Sequence, residues 1–174
     1  MANVVKEQKL VDSNKHTVVK YVATVDTVAA NVSMLVAANL AYALTSNGNN
    51  ILTPGDWGNT KSNYRTTIKR VWGQGQFKSK GYVTLSWGSR SNTEIVTFGD
   101  GQFDYNFDAE GLCSAIGAPA NITSNGDILI STTGVAAGDA FTLFIDLKKD
   151  GRDFGQGQHR DPIAFNYGAG YNGS

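Results

Sequence analysis

An alternation of apolar and polar residues is the feature that most limits what this chain can fold into. Near the end of the sequence, Phe141, Leu143, Ile145 and Leu147 alternate with polar residues, and Phe144 is the one exception. Successive side chains of a β-strand point to opposite faces of the sheet, so this period of two predicts a strand with one buried face.

Similar β-rich runs recur along the chain and give at least seven candidate strands. Turn signals separate the runs and no helical pattern alternates with them, which predicts an all-β, antiparallel β-sandwich of the jelly-roll kind. The runs are Thr17–Asp26, Tyr64–Trp72, Tyr82–Trp87, Glu94–Phe98, Gln102–Asp108, Asp127–Thr132 and Phe141–Lys148.

Three connections carry further information. Gly99-Asp100-Gly101 separates two candidate strands, and an Asp-Gly turn between alternating runs predicts a hairpin of neighbouring antiparallel strands. The segment Val28–Leu44 is rich in Ala and Leu, but its valines and asparagines disfavour a helix, and we interpret it as strand. Ser46–Ser62 has turn chemistry at both ends and predicts a long loop that binds or packs against something.

The length of 174 residues fits one domain. We expect an N-terminal arm at residues 1–12, a β-sandwich at 13–150 and an extended, glycine-rich C-terminal arm at 151–174. Lys and Arg together number 15, as do Asp and Glu, so no overall basic charge favours nucleic acid or an anionic membrane. With no secretory signal and no apolar span, the sequence predicts a soluble protein that binds neither nucleic acid nor membrane.

The sequence offers little to support catalysis. Asp153-Phe154-Gly155 and His159-Arg160-Asp161 match kinase triplets, but they stand in the wrong order and lack the rest of a kinase. His16 and the single cysteine, Cys113, have no partner motif, and a buried hydrophobic role is expected of the cysteine. We expect a non-enzymatic protein without a cofactor.

Two other short patterns have ordinary explanations. Asp104 to Asp108 begins like a calcium loop, but Ala109 and Ala115 occupy the positions of the required glycine and carboxylate, so a solvated strand face and no metal is expected. The pattern Gly-x-Gly-Gln begins at Gly73, Gly99 and Gly155, and we interpret all three copies as turns.

The loop between Ser46 and Ser62 contains the one candidate carbohydrate site. An exposed Trp57 could stack on a sugar ring while Asp56 and Asn59 bond its hydroxyl groups. The alternative, that Trp57 packs onto the core, agrees better with the burial habits of tryptophan.

The two C-terminal strand runs carry a resemblance to a known family. Gly126–Gly134 reads GDILISTTG and Gly138–Lys149 reads GDAFTLFIDLKK, with Gly-Asp opening each strand and a Thr- and Gly-rich turn between them. This resembles the C-terminal strand pair of small virion structural proteins, of the head decoration or cement kind, from marine tailed bacteriophages. The resemblance implies a non-enzymatic protein made in the host cytoplasm and carried on the capsid exterior.

Such a protein would bind the major capsid protein and copies of itself, for example in a trimer. The alternatives are a carbohydrate-binding β-sandwich for host attachment and a tail or portal-adaptor component. The C-terminal arm has aromatic and basic residues suited to partner contacts. These residues are Arg152, Phe154, His159, Arg160, Phe165, Tyr167 and Tyr171.

Overall fold

The computed structural model describes residues 4–25, 27–44, 64–88, 93–107, 116–117, 126–151 and 153–155. Within these ranges the chain forms ten strands and a 3-10 turn at Ala37–Asn39, and all the strand pairs are antiparallel. The strands are β1 Val4–Asp12, β2 His16–Val25, β3 Val32–Leu35, β4 Thr66–Gln76, β5 Tyr82–Trp87, β6 Glu94–Phe98, β7 Gly101–Asn106, β8 Ile116–Gly117, β9 Ile128–Thr133 and β10 Asp139–Lys149.

The strands form two sheets. The larger has the order β1-β2-β10-β4-β7, with β8 also paired to β4, and the smaller has the order β3-β9-β5-β6. Without β1 and β8, the other eight strands renumbered along the chain give the orders 1-8-3-6 and 2-7-4-5. This winding is that of a jelly roll. The predicted antiparallel, jelly-roll-like sandwich is confirmed.

The core lies between the two sheets and is built by the alternating residues. On β10 the four predicted inward residues are 3% exposed or less, and on β5 Trp87 is fully buried. Aromatic rings from both sheets meet there: the Phe98 ring on β6 stacks on Phe103 of β7 at 4.2 Å and meets Phe141 of β10 edge-on at 5.7 Å. The alternation therefore identified the faces that pack together.

The N-terminal segment is a strand of the larger sheet where an arm was expected. β1 pairs with β2 from Val4 opposite Thr24 to Asp12 opposite Thr17, with a register shift between Lys9 and Val11. β1 is the edge strand of this sheet and pairs with β2 alone, which is why its short extended sequence can be taken for an arm. Charged residues on an edge also discourage unwanted pairing with other chains.

The predicted hairpin at Gly99-Asp100-Gly101 is wrong. The turn connects β6 of the smaller sheet to β7 of the larger sheet, and the two strands are not paired. The two strands instead face each other across the core, where Phe98 and Phe103 stack from opposite sheets. Asp100 anchors the turn by accepting a hydrogen bond from the Phe77 amide at 2.9 Å.

The segment Val28–Leu44 is strand over four residues only, Val32–Leu35, before the 3-10 turn.

The copy of the Gly-x-Gly-Gln pattern that begins at Gly73 is not a turn, contrary to the prediction. Gly73 and Gly75 lie inside β4, where a Cβ on Gly73 would approach the Thr142 carbonyl oxygen to 2.0 Å. Only a residue without a side chain allows that approach of β4 to β10.

Candidate functional site

The last described residues of the chain are tied to the sandwich by a group of contacts that we call the C-terminal clamp. It consists of Asp153, Phe154 and Gly155 with the segments 42–44 and 64–65. The Asp153 carboxylate, 2% exposed, accepts hydrogen bonds from Arg65 through its backbone N–H at 2.9 Å, Nε at 2.7 Å and Nη2 at 3.0 Å. This pairing also raises the pKa of Arg65 above its ordinary value.

Phe154 is the apolar part of the clamp. Its side chain is fully buried, its ring lies 5.5 Å from that of Tyr64, and its backbone bridges to Ala43. The next amide, of Gly155, donates to the Tyr42 carbonyl oxygen at 2.7 Å. Phe154 therefore belongs to the core of its own chain, and its ring is not exposed to a partner as the sequence suggested.

A buried lysine connects the clamp to the rest of the larger sheet. Lys149 Nζ donates to Asp12 Oδ1 at 2.5 Å, to the Ser13 carbonyl oxygen at 2.7 Å and to the Ala41 carbonyl oxygen at 2.9 Å, and it lies 5.1 Å from the Phe154 ring centroid. Burial lowers the pKa of Lys149, although Asp12 opposes the shift. For Asp12, burial favours a higher pKa, but the hydrogen bonds from Lys149, Ala41 and Thr17 and the charge of Lys149 together outweigh it, so the pKa is lowered.

The other predicted partner-binding residues fall outside the described part of the chain. Trp57, Asp56 and Asn59, predicted for carbohydrate, and Cys113 also fall outside it. The remaining arm residues of this group are Arg152, His159, Arg160, Phe165, Tyr167 and Tyr171.

A row of large side chains crosses the outer face of the larger sheet. Lys20, Phe144, Trp72 and Asp104 stand opposite one another in consecutive strands. The Phe144 and Trp72 rings stack at 5.2 Å with their planes 7° apart, and Lys20 Nζ lies 5.7 Å from the Phe144 centroid. The sequence carried one signal of this row, because Phe144 breaks the alternation of β10.

Arg70 completes the row at its other end. Its guanidinium lies 5.0 Å from the Trp72 ring centroid and donates to Asp104 from Nε at 2.8 Å and from Nη2 at 2.5 Å. The hydrogen bonds from Arg70 lower the pKa of Asp104. Asp104 is thus a paired, exposed strand residue, as expected for a solvated face.

Beside this row lies an open groove of about 550 Å³, which we call the outer-face groove. Thr142, Gln74 and Gln102 stand opposite one another in β10, β4 and β7 and form its floor. Two copies of the Gly-x-Gly-Gln pattern meet here, with Gly75 opposite Gly101. The residues that line the groove include Trp72, Gln74, Gln102, Asp104, Thr142 and Phe144.

The described residues contain no group of three or more His, Cys, Asp or Glu side chains that could hold a metal ion. His16 lies at the start of β2, and its Nε2 is 2.5 Å from Asp146 Oδ1 on the exposed side of the sheet. In the same described ranges, no helix has the length and apolar character needed to cross a membrane.

Comparison with known proteins identifies no family. No family model matches the sequence, and no curated protein matches it. A solved structure described as "BiXyn10A CBM1 APO" aligns with 83% of this chain and 90% of its own, at 10% sequence identity and a TM-score of 0.34. A similarity at that level has no bearing on function.

Proposed function

We propose that this chain is a non-enzymatic virion structural protein of a tailed bacteriophage, which decorates the capsid exterior and binds the major capsid protein and its own copies. The observation that carries the proposal is the C-terminal clamp. Because Asp153, Phe154 and Gly155 are held by the sandwich, the segment that follows starts from a fixed point on the folded domain. A segment that starts from a fixed point can reach a neighbouring subunit with a defined geometry.

Two further features support this role. The jelly roll is a fold used by viral capsid and lectin domains, although fold alone does not assign function. The segments that resemble bacteriophage virion proteins contain β9 and β10, one strand in each sheet. The composition of residues 156–174, with Arg160, Phe165, Tyr167 and Tyr171, supplies aromatic and basic groups of the kind enriched at interfaces.

The test is a truncation whose position follows from the clamp. A stop after Asp150 would remove Asp153 and Phe154 from the core, so the informative variant stops after Gly155. We expect it to keep the unfolding free energy of the full chain and to lose binding to capsids that lack the protein. Unchanged occupancy of those capsids by the truncated chain would refute the proposal.

Point variants refine the same test. Tyr167→Ala and Phe165→Ala should each reduce occupancy, because aromatic anchors dominate interface energies. Tyr82→Ala is the matched control, since Tyr82 is an exposed aromatic residue of the sandwich, 43% exposed. Copy number in purified virions separates a head from a tail or portal position, because a decoration protein scales with the capsid subunits and a portal component with the symmetry of the portal.

A further inference from the structure

We infer that the outer-face groove binds a neutral oligosaccharide. The described residues that line it belong to β4, β7 and β10, so the inference goes beyond the decoration role and does not depend on it. The inference combines three properties of the groove: free amide groups on its floor, an aromatic wall, and the paired backbone of the inner strands β4 and β10 beneath it.

The floor presents hydrogen-bonding groups that the fold itself does not use. The side chains of Gln74, Gln102 and Thr142 make no hydrogen bond to any described residue. Gln74 and Gln102 are exposed and stand directly opposite each other. Each amide offers two donor hydrogens and an acceptor oxygen, and Thr142 adds a hydroxyl group. A carbohydrate, whose hydroxyl groups both donate and accept, matches this combination.

The wall supplies apolar surface in a fixed position. Trp72 and Phe144 are stacked on each other, and Lys20 and Arg70 lie over the pair, which restricts the rings to one arrangement. Their edges border the polar floor. A sugar ring has both hydroxyl groups and apolar C–H surface, so it can bond the floor while its C–H groups contact the wall.

The backbone beneath most of the groove has no free hydrogen-bonding groups. β4 and β10 are inner strands, each paired on both sides, so their N–H and C=O groups already belong to the sheet. β7, which supplies Gln102 and Asp104, is the end strand of this sheet among the described residues, so an extended peptide could pair along its outer edge but not over the floor. An occupant that lies over the floor must bind through side chains.

The charge of the groove favours a neutral sugar. Asp104 is the charged residue among the described lining residues, and Arg70 already pairs with it in a bidentate manner. An anionic sugar would meet the Asp104 carboxylate without an unpaired cation in the lining to offset it.

The experiment begins with a glycan array of neutral oligosaccharides that includes maltohexaose, cellohexaose and xylohexaose. A nuclear magnetic resonance titration of the full chain with the sugar that binds on the array then measures the affinity. Gln74→Ala and Gln102→Ala should each weaken binding of the array-positive sugar by about three- to tenfold, the range of one lost hydrogen bond. Gln8→Ala is the matched control, because Gln8 is an exposed glutamine opposite Lys20 on the edge strand, away from the groove. We expect it to leave binding unchanged.

Three outcomes would overturn the inference: no neutral glycan bound on the array, binding equally weakened by Gln8→Ala, or binding unaffected by both groove variants. If the groove variants instead reduce capsid occupancy without any sugar binding, the occupant is a protein and the inference is wrong. The truncation after Gly155 retains every described residue that lines the groove, so failure of the capsid role and failure of sugar binding are measured separately.

Discussion

The side chain of Lys149 is fully buried and its Nζ lies 2.5 Å from Oδ1 of Asp12, so a charged pair joins the last strand of the jelly roll to the end of the first strand. The lysine donates two further hydrogen bonds to carbonyl oxygens, of Ser13 and Ala41. A buried cation is tolerated only when its hydrogen bonds are satisfied in this way.

Lys149→Met should therefore destabilise the protein strongly. Removing Lys149 leaves the partly buried Asp12 carboxylate with the more exposed Lys9, at 3.4 Å from Oδ2, as its ion-pair partner, and we expect a loss of about 3–5 kcal/mol in the free energy of unfolding. The double variant Asp12→Leu with Lys149→Met should recover part of that loss, because the partly buried carboxylate is then absent. Urea denaturation followed by tryptophan fluorescence measures both, and equal losses in the single and double variants would contradict this explanation.

Phe154→Ala should destabilise the sandwich although the residue lies near the chain terminus. Its ring is fully buried against Tyr64, and deleting a buried phenylalanine ring costs about 3–5 kcal/mol. The comparison is Tyr82→Ala, at a side chain that is 43% exposed, for which we expect a change within about 0.5 kcal/mol. Similar unfolding midpoints for the two variants would mean that the clamp is not part of the cooperative core.

Asp139 makes the stability of the folded protein depend on pH in the acidic range. Burial favours a higher pKa, but hydrogen bonds from Ser79, Ala136 and Lys78 outweigh it and lower the pKa below the ordinary 3.8. The stabilisation from this group is therefore complete above about pH 3.8 and is lost as the pH falls through the lower pKa of the folded state.

Asp139→Asn tests this dependence. The amide places donor hydrogens against the donors of Ser79 and Ala136, so the variant should lose about 1–3 kcal/mol at neutral pH. It should also lose less further stability than the wild type between about pH 5 and pH 2, because one titrating carboxylate is gone. Unfolding free energies of the wild type and the variant, measured across that pH interval, test this expectation. Parallel curves for the two proteins would exclude Asp139 as a contributor to the pH dependence of stability.

Gly126 and Gly138 illustrate two different physical reasons for a glycine within one chain. Both have positive φ, 82° and 91°, but a Cβ on Gly126 would lie 2.1 Å from the Tyr64 carbonyl oxygen while a Cβ on Gly138 would meet nothing within 4 Å. Gly138→Ala should cost about 1–2 kcal/mol, the penalty of the left-handed backbone alone. Gly126→Ala should cost about 1–3 kcal/mol more through the added clash. Thermal unfolding of both variants checks the difference. Equal decreases in unfolding temperature would show that the close approach to the Tyr64 carbonyl oxygen does not contribute.

Much of the fold could be predicted from the sequence because alternation reports which face of a strand is buried. The inward residues of β10, from Phe141 to Leu147, follow it directly. Which strands pair with each other could not be predicted in the same way. The Asp-Gly turn after Phe98 has the chemistry of a hairpin, yet the direction of the chain beyond it depends on where Phe98 and Phe103 pack.

The outer-face groove could not be predicted from the sequence for a related reason. Gln74 and Gln102 are 28 residues apart and become neighbours only through the register of β4 with β7. Phe144 was visible as an exception to the alternation, but nothing in the sequence indicates that Trp72 stands opposite it. The clamp escaped prediction because Phe154 sits in a glycine-rich stretch whose composition is typical of an exposed tail.

The position of β10 between β2 and β4 governs how this protein can fold during synthesis. β2 ends at Val25 and β10 begins at Asp139, so the two strands that pair along their length are separated by most of the chain. Such distant contacts slow folding, since a long loop must close before the pairing stabilises it. Until the ribosome has released β10, β2 and β4 each carry an unpaired edge in the middle of the future sheet. The nascent chain is therefore most open to wrong pairing with its own copies just before β10 becomes available.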